Sequence, residues 1–353
     1  MQRTLLFAFL IIISGSCIKE TDPVIIDLND SYLSGKGVFV VNEGNFRSGN
    51  GSLSFFSYDS LKIYNHVFLD INKRPLGDIP YSMNVLGSKA YIVVNNSDKI
   101  EVVNGNDMKS VAVINGIKSP RYISFVSDTK AYVTSLYSDS ITIINLLTNS
   151  VSGYIDIKKT SESIVAIYSD AYVASWINGN KIMIINTLND RVTDSITVGR
   201  EPESMVIDKN ENLWVLCNGG WNRDYFAELI GINTRTKVIE KRFIFPLKTD
   251  SPTCLRINKN GETLFYLQNG VRAMKIDAEG LPSSALIPGQ DHNFYKLGVN
   301  PENSEIFVTD VGDYTQKGYL IRYSIAGTII SSYQTNIIPG SIYFKVDPET
   351  DIQ

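Results

Sequence analysis

The stretch "AYVTSLYSDSITIIN" at 131–145 returns one repeat later as "AYVASWINGNKIMIIN" at 171–186. Each opens on a β-rich run led by Ala and Tyr, crosses a short polar link, and closes on a second apolar run ending in Asn. Short apolar runs bounded by Ser, Asn, Asp and Gly predict antiparallel strands rather than helix. The register extends along the chain. "VFVVN", "AYIVVN", "AYVTS", "AYVAS", "LWVLC", "LFYLQ" and "IFVTD" align on Phe39, Tyr91, Tyr132, Tyr172, Trp214, Phe265 and Phe307, at separations of 52, 41, 40, 42, 51 and 42 residues. A period of about 40 to 45 built only of strands is that of a four-stranded propeller blade, and the two longer spacings mark insertions.

A further run, usually opened by Pro, precedes each aromatic: "PYSMNV", "PRYISF", "SESIVA", "PESMVI", "PTCLRI", "FYKLGV" and "PGSIYF". The last begins at Pro339 and has no aromatic run behind it, while the run at Phe39 has no such segment in front. These loose ends complete one blade, with the C-terminal run as its innermost strand, so that no sheet edge is left open. The expectation is an all-β chain, a seven-bladed β-propeller of four-stranded antiparallel blades over 37–346, with a tail at 347–353. The aligned aromatics are expected in the core, each contributing roughly 1.5 to 3 kcal/mol by burial. Ser82, Ser163, Ser204, Cys254 and Ser341 put small side chains near the start of five inner strands, as suits strands crowded round an axis.

The chain begins "MQRTLLFAFLIIISGSC", one cation before nine apolar residues and then small residues up to Cys17. That predicts a secretory signal over 1–16, too short to stay in a bilayer as a spanning helix. "SGSC" resembles the lipobox of bacterial lipoproteins, which implies lipidation at Cys17 and attachment to a membrane through lipid alone; plain secretion is the alternative. Residues 17–36 are polar and acidic and read as a flexible tether. "KETD" behind the cysteine resembles the signals that send lipoproteins to the outer face of the outer membrane. Without the signal, 32 basic residues face 37 acidic ones, a formal charge of about −5, which argues against nucleic acid as a partner. Cys217 and Cys254 are too few for a disulfide scaffold, and whether they pair is left open.

One face of the ring is expected to carry the function. From the aligned aromatic to the end of the third strand takes 12 to 14 residues in blades two, three, four and six, but 18, 19 and 17 in blades one, five and seven. The surplus falls between the second and third strands, on the face where the chain enters each inner strand. Insertions confined to one face of a repeat protein commonly mark its binding surface. The loops and entry turns there carry rings and cations, and the candidate ligand-binding residues are Phe46, Arg47, Arg121, Tyr137, Trp176, Trp221, Arg223, His292, Tyr295 and Tyr314. Flat rings take apolar surface and fixed donors take amide or phosphate oxygens, a combination suited to a large amphipathic ligand.

Signs of catalysis are few. His66 and His292 are the only imidazoles and fall in different blades, so no His-rich metal site is expected, and neither a nucleophile elbow nor a phosphate-binding loop is present. No cofactor is implied. A lyase or hydrolase would rest on His292, with Asp291 or Glu203 assisting.

"VFVVNEGNFRSGNGSLSFFSYD", the repeated "AYV…IIN" strands and the Pro-led inner strands together resemble the YncE-like propeller lipoproteins of Bacteroidota. "NEGNF" at 42–46 marks that wider family. The resemblance extends to the BtuG-type branch, and what it implies is capture of cobalamin or another corrinoid on one propeller face and delivery to a TonB-dependent outer-membrane transporter. The alternatives are a binding module for a ferric siderophore, a glycan or a protein partner, and the His292 lyase or hydrolase.

Overall fold

A computed structural model describes residues 32–346. The expected signal, Cys17, most of the tether and the tail at 347–353 lie outside the described residues. Within them, seven four-stranded antiparallel sheets form a closed ring. Blade one is β1 (Gly37–Asn42), β2 (Ser52–Ser57) and β3 (Lys62–Tyr64), completed on the inside by the last strand, β28 (Pro339–Lys345). Blade two runs from β4 (Pro80–Leu86) to β7 (Ser110–Asn115), blade three from β8 (Pro120–Ser127) to β11 (Ser150–Asp156), and blade four from β12 (Ser161–Ile167) to β15 (Arg191–Thr197). Blade five runs from β16 (Pro202–Ile207) to β19 (Ile239–Ile244), blade six from β20 (Thr253–Ile257) to β23 (Ile287–Pro288), and blade seven from β24 (Phe294–Val299) to β27 (Ile329–Ile337). The inner strands contact one another in order round the axis, and β28 joins β24 on one side to β4 on the other. Across blade one, Gly37 pairs with Lys345 and Asn42 with Pro339.

All seven aligned aromatics are buried, none more than 2 % exposed. Their rings fill the layers between blades; Tyr91 packs edge-on against Phe125, and Trp214 lies parallel to Phe243. The polar ends of Tyr132, Tyr172 and Trp214 find partners. Trp214 Nε1 donates to Asp208 at 2.9 Å, and the Tyr172 hydroxyl donates to the Thr234 carbonyl at 3.1 Å.

The long spacing between blades one and two holds one feature that strand periodicity does not foresee, the helix α1 (Val67–Asn72), which buries Val67 and Phe68 between the two blades. Six residues are too few to show a helical repeat in sequence. Tyr32 and Leu33, in the segment read as tether, pack on the same blade: Tyr32 stacks on Tyr64 with centroids 3.9 Å apart, and Leu33 is buried. Cys217 and Cys254 are both free and buried.

Candidate functional site

The loop-bearing face is built by one repeated joint. In six of the seven blades the residue that follows the second strand donates its N–H to the carbonyl just before the inner strand: Glu43 to Ile338, Asn95 to Ile79, Leu136 to Ser119, Trp176 to Thr160, Asn218 to Glu201 and Val311 to Asn293. Entry turns and second-to-third-strand loops therefore share one face. At four of these joints the accepting residue precedes a proline and has left-handed backbone: Ile79 (φ 52°), Ser119 (42°), Glu201 (50°) and Ile338 (51°). For β-branched Ile79 and Ile338 that region is an outlier, at a cost on the order of 1 to 3 kcal/mol each.

Directly after the joint, every inner strand carries one extra residue relative to its partner, between Pro80 and Ser82, Pro120 and Ile123, Ser161 and Ile164, Pro202 and Ser204, Thr253 and Arg256, Phe294 and Lys296, and again opposite Val40 to Asn42. Such bulges re-aim side chains. Here they gather Tyr81, Arg121, Tyr122, Glu162, Glu203, Cys254, Tyr295 and Lys296 from six blades into one polar cluster about the axis. In blade one the matching position is Gly340, where a Cβ would come within 3.0 Å of Glu43 Oε1 and of the Val41 carbonyl. Glu43, from the neighbouring loop, occupies the room that glycine leaves.

Arg121 forks onto Glu162 through Nε (2.7 Å) and Nη2 (2.6 Å), and its guanidinium carbon lies 3.4 Å from the centroid of the Tyr81 ring. The Tyr81 hydroxyl donates to the same carboxylate at 3.0 Å. Tyr295 donates to Glu43 at 2.9 Å, and Glu203 accepts the Cys254 backbone N–H at 2.8 Å. The Lys296 ammonium lies 5.0 Å from the Tyr295 ring centroid and 5.4 Å from that of Tyr81. Burial pushes the Tyr81 and Tyr295 hydroxyls well up and that of Tyr122 to about 12. Burial alone would lower the Lys296 ammonium, but Tyr81, Cys254, Tyr122 and Tyr295 outweigh it and hold the group charged. A cationic lysine among phenols offers fixed donors to a bound acceptor.

Most of the residues anticipated from sequence fall into three placements. Arg121 and Tyr295 belong to the axial cluster. Around blades one and seven, Arg47 covers Phe46 at 5.0 Å, Tyr314 meets Tyr295 edge-on at 5.9 Å, and Asn45 donates to the Tyr314 carbonyl at 3.1 Å. Around blades four and five, Glu201 ties the loop of Trp176 to that of Trp221 by accepting the N–H of Asn178 and of Trp221, each at 3.0 Å. Trp221 is 89 % exposed, Arg223 donates to the Thr249 carbonyl, and Tyr225 lies 4.5 Å under Arg200. Tyr137, 58 % exposed, stands on the blade-three loop between these two sectors.

His292 pairs through Nδ1 with Asp310 at 2.7 Å and stacks on Phe294. Its carboxylate partner is thus Asp310, where sequence suggested Asp291 or Glu203; the latter is committed to Cys254. Glu43, Glu162 and Lys296 were not anticipated. The signal for Glu162 was the column behind each leading residue of the inner strands, which reads Tyr, Arg, Glu, Glu, Thr, Tyr, Gly where a buried strand would be apolar; Glu43 and Lys296 lie outside that column. Among the described residues, no three His, Cys, Asp or Glu side chains come together as a metal site.

Similarity to solved structures is broad and shallow. A quinonprotein alcohol dehydrogenase-like protein from Bacteroides thetaiotaomicron superposes with a TM-score of 0.69 at 15% identity, covering 88% of this chain and 78% of that one. A functionally unknown protein from Desulfotomaculum acetoxidans gives 0.63 at 15% identity, over 88% and 99%. A streptogramin B lyase gives 0.55 at 16% identity, over 75% and 89%. At such identities the likeness shows the propeller fold alone. No curated protein matches the chain. Residues 36–345, the whole ring, match the family described as a domain of unknown function, DUF5074, and the chain belongs to that family.

Proposed function

We propose that this protein captures a corrinoid such as cobalamin on the loop-bearing face and passes it to a TonB-dependent outer-membrane transporter, held at the cell exterior through lipid on Cys17. The observation that carries the reading is the placement of large exposed rings, Phe46, Tyr137, Trp221 and Tyr314, on the second-to-third-strand loops of one face, round an axial cluster with fixed donors. A wide amphipathic disc can lie against rings that water would otherwise contact while its polar edge reaches the axis. Binding is supported further by Lys296, raised in pKa and set among the Tyr81 and Tyr295 rings, which offers a fixed donor to a guest.

The test is a titration of the chain from Ile18 onward with cyanocobalamin, followed by visible absorbance and by co-elution of the red ligand on gel filtration. Saturable binding at micromolar concentration is expected. Absence of binding there ends the corrinoid reading.

A further inference from the structure

Four groups of the axial cluster keep hydrogen-bonding capacity that the ring does not use. Among the described residues, the Lys296 ammonium has no hydrogen-bond acceptor within reach and no carboxylate within 4.0 Å, and the Tyr122 hydroxyl has no partner. Both side chains keep partial exposure. Two acceptors are equally underused: Glu203 bonds only through Oε2, and Glu43 bonds to Tyr295 only through Oε1. Neither the ammonium nor the hydroxyl is sealed from solvent, so a guest that supplies an acceptor there takes the place of water.

The charges decide what kind of group fits. Glu162 is neutralised by the fork of Arg121, which leaves Lys296 facing Glu203 and Glu43. An oxyanion bonded to Lys296 would stand beside two carboxyls that one ammonium does not balance, and a cation cannot supply the acceptor that Lys296 lacks. A neutral group with an acceptor at one end and donors at the other avoids both difficulties. Resting on the reading that this face binds a small molecule, we propose that the axial cluster is a subsite for an uncharged primary carboxamide, its carbonyl oxygen taking hydrogen bonds from Lys296 and Tyr122 and its NH2 donating to Glu203. The ligand class this selects is an amide-edged molecule, with phosphate and carboxylate groups kept away from the axis.

The test uses three probes of one shape and three charges: benzamide, benzoate and benzamidinium. Their dissociation constants are measured by ligand-observed NMR on the wild-type protein and on Lys296→Met, with cyanocobalamin added to the same samples as a competitor. Benzamide is expected to bind at least about tenfold more tightly than either charged probe, to weaken about tenfold or more in Lys296→Met, and to be displaced by cyanocobalamin; one hydrogen bond to a charged donor accounts for changes of that size. Equal or tighter binding of benzoate or benzamidinium, no binding of any probe to the wild type, or benzamide binding untouched in Lys296→Met overturns the subsite. Benzamide binding without cyanocobalamin binding sinks the corrinoid reading alone. Cyanocobalamin binding that leaves benzamide in place sinks the carboxamide subsite alone.

Discussion

Arg121 reaches from blade three to Glu162 in blade four and closes two hydrogen bonds on it, at 2.6 and 2.7 Å, with the carboxylate side chain 2 % exposed. Breaking such a pair by removing one member strands the other charge in a poorly solvated place. Arg121→Met is therefore expected to destabilise the protein by about 3 to 5 kcal/mol. Exchanging both residues for apolar ones of similar volume, Arg121→Met with Glu162→Leu, is expected to recover most of that loss. Urea denaturation of the single and double variants measures both.

Two buried carboxyls tie stability to pH in opposite directions. Burial holds Glu43 above its ordinary 4.5, against the pull of Lys296 and Tyr295. The folded chain then binds this proton more readily than the unfolded one, so the contribution of Glu43 is whole below about pH 4.5 and is lost as pH rises through the folded value. For Glu101, burial also pushes upward, but bonds from Arg74, Ser110 and Lys99 win and hold it below 4.5. Its contribution is present above about pH 4.5 and is lost as pH falls through the folded value. Denaturation of Glu43→Gln and Glu101→Gln across the acid range is expected to show the first gaining on wild type as pH rises. The second should be weaker by about 1 to 3 kcal/mol at neutral pH and converge with wild type in acid.

Two tryptophans separate fold from binding. Trp214→Ala empties a core position and removes the donor to Asp208, with an expected cost of about 3 to 5 kcal/mol. Trp221 is 89 % exposed, so Trp221→Ala should leave stability within about 0.5 kcal/mol of wild type. The same change is expected to weaken cyanocobalamin about tenfold, as loss of an aromatic anchor does. Thermal unfolding and a cobalamin titration on both variants check the contrast.

A chain ending at residue 337 lacks β28 and leaves the inner edge of β1 open. Such a chain is expected to lose its cooperative unfolding transition, and a synthetic peptide of 338–346 to restore it by strand addition. Circular dichroism during urea unfolding, with and without the peptide, reads the outcome.

The ring was legible in the sequence because one buried aromatic per repeat must return at nearly constant spacing, and because two incomplete ends, at Phe39 and Pro339, can only complete each other. The loop face was legible from the surplus residues in three blades. The axial cluster was not, since Tyr81, Glu162 and Lys296 reach the axis only through bulges that no residue type announces. Arg121 and Tyr295 were chosen as parts of an exposed rim; the same bulges carry them inward to join Glu162 and Glu43. The place of Glu43 depends on the absent side chain of Gly340, a relation across almost the whole length of the chain.

The pairing of Gly37 with Lys345 and of Asn42 with Pro339 has a bearing on posture. Asn42 and Pro339 lie at the rim that carries the long loops, so the backbone arrives before Gly37 and departs after Lys345 from the underside. The entry of the chain into the ring and the loop-bearing mouth therefore stand on opposite sides of the disc.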